Sequence, residues 1–168
     1  MLFKTKNFGF EIMGNKQIIF KETQNAYWVF ILGIISIVPI VIVSKMQLEK
    51  IEILSNILII VSIIIISITL LFYKLTIIIC NEKFTISFGI GLIKKSIALI
   101  NIDYQSIEEI KIPWYYGIGL RITPYGILFN TKFGKALKLK SKDQKKSILV
   151  GTDNFEEIKK VLLENGIK

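Results

Sequence analysis

Residues 26–43 read AYWVFILGIISIVPIVIV and residues 54–73 read LSNILIIVSIIIISITLLFY, and neither stretch holds a charged side chain. Each has the length and apolarity expected of a helix that crosses a hydrocarbon core of about 30 Å, a task for about 20 residues. Isoleucine, which fills Ile63 to Ile66, is an indifferent helix former in water. In lipid the backbone must bond within the segment, so helix is expected there regardless. Two buried helices of a small water-soluble fold would instead show a polar stripe, and neither segment has one. Residues 44–53 then connect the two as an antiparallel transmembrane hairpin.

Tyr27 and Trp28 at the head of the first stretch and Tyr73 with Lys74 at the foot of the second read as interfacial anchors. Residues 1–25 carry four lysines, and Lys74, Lys83, Lys94 and Lys95 follow the second stretch, against Lys45 and Lys50 in the linker. This bias predicts a multi-pass protein of the cell membrane with both termini cytoplasmic. The first stretch starts too late and lacks the small-residue site of a cleaved signal peptide.

Composition removes much chemistry. The 168 residues include no His and one Cys, Cys80, so His- or Cys-based metal centres, Ser-His triads and internal disulfides are excluded. Lys and Arg number 22 against 13 acids, a net +9, which suits a neighbour of polyanions. No acidic pair converges: Glu108 and Glu109 are adjacent on a predicted strand and point to opposite faces. The expectation is no enzyme, no cofactor and no metal.

Residues 74–168 are long enough to fold alone. Predicted strands run over residues 75–80, 83–88, 96–102, 107–112, 120–123, 127–131, 136–140 and 147–151, with a turn at Pro124-Tyr125-Gly126. Asp153 and Glu156 read as a capping box for a closing helix in which Phe155, Ile158, Val161 and Leu162 share a face. Gly14-Asn15 reads as the turn of a small hairpin. The fold class is thus α+β, divided into an N-terminal cytoplasmic segment 1–25, the hairpin 26–73 and a cytoplasmic β domain 74–168.

The runs Trp114-Tyr115-Tyr116-Gly117-Ile118-Gly119-Leu120-Arg121, Gly126-Ile127-Leu128-Phe129-Asn130 and Ile148-Leu149-Val150-Gly151-Thr152, with Lys21-Glu22-Thr23-Gln24 before the first helix, carry a resemblance. In this layout the chain resembles small bacterial membrane proteins with a pleckstrin-homology-like (PH-like) domain. The resemblance implies a PH-like antiparallel sheet or barrel capped by the C-terminal helix. Its motifs are structural rather than catalytic.

Two surfaces stand out as candidates. Lys132, Lys135, Lys138, Lys140, Lys145 and Lys146, with Lys94 and Lys95 on a loop, form a basic set that an anionic lipid surface attracts by about 1 kcal/mol per lysine. Trp114, Gly117, Gly119 and Arg121 form the second motif, read as structural ordering around the only Arg, stacked on a ring or paired with an acid. The expected partners are the lipid bilayer, anionic lipid headgroups and another membrane protein. Nucleic acid is not expected, since no recognition motif or stacking platform is present. The functional expectation is a noncatalytic, membrane-anchored PH-like module for protein interaction or orientation at the inner leaflet. The alternative is an accessory or scaffolding subunit of a larger membrane complex.

Overall fold

The computed structural model describes residues 12–13, 16–45, 52–142 and 147–166. Strands β1 (Ile12–Met13) and β2 (Lys16–Asn25) come first, then helices α1 (Tyr27–Lys45) and α2 (Glu52–Phe72). Strands β3 (Lys74–Cys80), β4 (Lys83–Phe88), β5 (Ile93–Ala98), β6 (Ile102–Ile112), β7 (Gly119–Thr123), β8 (Gly126–Asn130), β9 (Gly134–Ser141) and β10 (Ser147–Gly151) follow, and α3 (Phe155–Gly166) closes the chain. The α+β content expected from the sequence is present.

The strands form two sheets, ordered β1-β2-β3-β4-β5 and β6-β9-β10-β8-β7. Alternation explains the first. Leu75, Ile77 and Ile79 on β3 and Phe84, Ile86 and Phe88 on β4 are buried, while their neighbours are only partly so or exposed. These side chains meet Ile107, Phe129, Leu137, Leu139, Ile148 and Val150 of the second sheet, together with Phe155, Ile158 and Leu162 of α3, in the main core. A smaller cluster of Ile112, Leu128, Ala136 and Leu149, with Tyr116 packed against it, occupies the other side of the second sheet.

Two features differ from the sequence expectation of an antiparallel domain built after the helices. Strand β2 pairs antiparallel with β3, from Ile18↔Cys80 to Asn25↔Lys74, so the first sheet takes strands from both sides of the helix pair. Strand β10 pairs parallel with β8, because β9 carries the chain back before β10 fills the gap between β8 and β9. The strand expected over residues 96–102 is displaced: β5 ends at Ala98, a turn of 3₁₀ helix spans Leu99–Asn101, and Lys142 donates its backbone N–H to the Asn101 carbonyl at 2.7 Å. Gly14 and Asn15 lie outside the described residues. Their flanks pair as Ile12↔Gln17 and Met13↔Lys16.

The transmembrane hairpin is corrected. Helices α1 and α2 do form and lie antiparallel, Gly33 beside Thr69 and Phe30 against Tyr73. Among the described residues, however, no helix is long and apolar enough to cross a membrane. Spanning about 30 Å takes about 20 consecutive apolar residues, and neither helix supplies that run within those residues. The multi-pass membrane placement, the membrane and transmembrane descriptions and the cytoplasmic assignment of both termini are withdrawn with it.

Candidate functional site

The lysine-rich strand is β9 with the turn before it. Leu137 and Leu139 enter the main core, while Lys138 and Lys140 take the opposite side, as alternation requires. Their charge is less available than composition suggests. Lys138 donates to Glu108 of β6 at 2.5 Å, Lys135 pairs with Glu109 at 2.6 Å, and Lys132 pairs with Asp153. These ion pairs follow from register: Glu108 sits opposite Lys138, and Glu109 is two residues from Lys111, which faces Lys135. The Glu109 carboxylate, through its hydrogen bond and then its charge, holds the Lys135 ammonium above the ordinary lysine range.

Lys94 and Lys95 lie on strand β5, opposite Ser87 and Ile86, rather than on a loop. Adjacent strand residues face opposite ways, so the two do not form one patch. Lys145 and Lys146 lie outside the described residues. The basic candidates therefore separate into three neutralised lysines, the exposed Lys140 and two lysines on opposite faces of an edge strand. Glu108 and Glu109 are spent on these ion pairs, and Asp153, expected to cap α3, is held by Lys132.

The aromatic motif is brought together. A 3₁₀ turn over Trp114–Tyr116 follows Pro113, and the rings run in edge contacts from Trp114 to Tyr115 (6.2 Å), Tyr115 to Tyr116 (4.9 Å) and Tyr116 to Tyr125 of the β7–β8 turn (6.4 Å). Burial first, then the neighbouring Tyr115 and Tyr125, pushes the Tyr116 hydroxyl above the ordinary tyrosine range. Trp114 remains 77% exposed.

Gly117 and Gly119 have φ of 73° and 106°, conformations that favour glycine. Their spacing does not make a phosphate loop. The Gly119 N–H donates to Asn130 Oδ1 at 3.1 Å, and the Asn130 amide returns bonds to the carbonyls of Gly117 (3.1 Å) and Lys132 (3.2 Å). Asn130 is fully buried and fixes the entry to β7.

Arg121, at the centre of β7, is exposed beside Gly117. Neither ordering role expected for it is present: among the described residues no carboxylate and no aromatic ring engages the guanidinium.

A polar cluster that sequence reasoning missed ties the two sheets together. Gln24 of β2 donates to the Gly151 carbonyl at 2.7 Å and accepts from Thr131 at 3.2 Å, and Thr152 donates to Glu22 at 2.7 Å. Trp28 of α1 donates its indole N–H to the Thr131 carbonyl at 3.2 Å, so this helix is latched to the second sheet. The signal was the polar run Lys21-Glu22-Thr23-Gln24 in a strand position, beside the equally polar Gly151-Thr152. No buried side-chain polar atom among the described residues lacks a partner, which marks the cluster as structural. Among those residues no group of His, Cys, Asp and Glu is placed to hold a metal ion.

Fold and surface together define an α+β protein whose β domain is interrupted by an apolar helix pair. No family model, curated protein or solved structure matches the chain.

Proposed function

We propose that the chain is a noncatalytic PH-like module that works by protein interaction, as an accessory subunit attached to its partner through α1 and α2. One observation carries this reading. Phe30, Ile31, Leu32, Ile34, Ile35, Ile37 and Val38 on α1 are all exposed, and so are Ile57, Ile59, Ile60, Ile63, Ile64, Ile66 and Leu70 on α2. At about 100° per residue these positions cover roughly half or more of each helix's circumference, wider than one stripe, while Val29 of α1 and Ala26 just before it are buried. An exposed apolar patch of this extent marks an interaction surface. Helices of another subunit cover it. The pairing of Lys132, Lys135 and Lys138 with acids leaves less charge for an anionic surface, which favours a protein partner over headgroup contacts.

The test places a photoactivatable residue at Ile34 or Ile63 of the full chain in intact cells. One discrete protein adduct at both positions supports the subunit reading. Adducts to lipid alone, or to no discrete protein, overturn it.

A further inference from the structure

We propose that β7 is a docking edge for an extended acidic segment of a partner protein. The proposal rests on the interaction reading above and names the chemistry of what is recognised. β7 ends the second sheet, with β8 on one side and no strand on the other among the described residues. An edge strand leaves a row of backbone N–H and C=O groups that another strand can pair with.

The side chains say which strand. Leu120, Arg121 and Ile122 are all exposed, and Ile122, at 80%, is the most exposed large apolar side chain described. Leu120 and Ile122 share one face, next to Phe129 and Ile127 across the β7–β8 pair. Arg121 faces the other way, with its guanidinium beside Gly117.

A second copy of the chain is a poor occupant. Antiparallel pairing of β7 with itself, centred on the strand, puts Arg121 opposite Arg121, and like charges directly opposite are destabilising. A foreign strand with the pattern apolar-acidic-apolar satisfies all three side chains, and a carboxylate fits the planar fork of an arginine. Trp114 and Tyr115, exposed beside the strand entry, extend the contact surface.

The experiment selects a displayed library of random decapeptides on the full chain. The expected result is enrichment of an acidic residue between two apolar ones, with the amides of residues 119–123 protected from hydrogen exchange when a selected peptide binds. Arg121→Glu should weaken that peptide by about tenfold or more and move the selected central residue to Lys or Arg. Arg121→Gln, which removes the charge without reversing it, should fall between the two.

No enrichment, or an enrichment unchanged by Arg121→Glu, overturns the proposal and leaves Arg121 as a charge that blocks edge-to-edge aggregation. Rapid disulfide dimerisation of Ile122→Cys also overturns it, in favour of self-pairing. Helix adducts at Ile34 and Ile63 do not depend on Arg121. Their survival when peptide selection fails removes this inference alone, and their loss removes the subunit reading.

Discussion

The backbone N–H of Ala26 donates to the carbonyl of Tyr73 at 2.8 Å. This bond closes the gap between the last cross-strand pair of β2 and β3, Asn25↔Lys74, and the first turn of α1. The helix pair thus grows out of a strand pair with no linker on either side.

Excision should therefore be tolerated by the sheets. Joining Asn25 to Lys74 through a two-residue Asn-Gly turn, in place of residues 26–73, completes an ordinary β-hairpin. The expected product shows a strand-rich far-UV circular dichroism spectrum, one cooperative melt and dispersed amide resonances. An unfolded product would mean that the Trp28 latch to Thr131 is needed for the sheets to close.

Gly89 and Gly91 offer a matched pair of substitutions. Gly89, at φ 53°, lies so close to the end of α2 that a Cβ would fall on the carbonyl oxygens of Leu70 and Leu71, whereas Gly91, at φ 93°, has open space around it. Gly89→Ala should cost about 2–4 kcal/mol, strain plus a forced shift of the helix end, and Gly91→Ala about 1–2 kcal/mol from strain alone. Denaturant midpoints at a common slope give both numbers.

Asn130→Ala should destabilise by more than about 2 kcal/mol, because it strands the Gly119 N–H and the Gly117 and Lys132 carbonyls together. The same change should loosen β7, seen as faster amide exchange at residues 119–123, while α3 keeps its protection. Equal acceleration across the chain would mean that the loss is global.

Stability should fall as the solution becomes alkaline. Lys135 is raised above its ordinary 10.5 by Glu109, and Tyr104 and Tyr116 are raised above 10.0, chiefly by burial. A group whose folded pKa exceeds its unfolded value stabilises fully below the unfolded value and loses that contribution as pH rises through the folded one. The decline should begin near pH 10, and Lys135→Gln should flatten its upper part, above about 10.5. Denaturation midpoints between pH 8 and 11.5 check the slope.

Much of the secondary structure was legible because its cause is local. Phe84, Ile86 and Phe88 alternate on β4 as a half-buried strand must, and Phe155, Ile158 and Leu162 recur at helical spacing on α3. The helices were legible too, but their apolarity alone decided the bilayer placement, and that inference did not hold for the described residues. What stayed hidden depends on partners distant in sequence. Nothing in Lys16–Asn25 names β3 as its neighbour, and nothing in the lysine run names Glu108, Glu109 and Asp153, yet those partners decide how much positive charge is free. Arg121 was visible as the lone guanidinium. Its place on a sheet edge needed the strand order.

Because residues 26–73 leave and re-enter the sheet through one pair of adjacent peptides, whatever grips the helices also sets the heading of the strands below. A flexible tether would let the β domain swivel; a paired stem held again by Trp28 passes torque. The β7 edge is then aimed, and a partner fixed to the same support would meet it at a set angle.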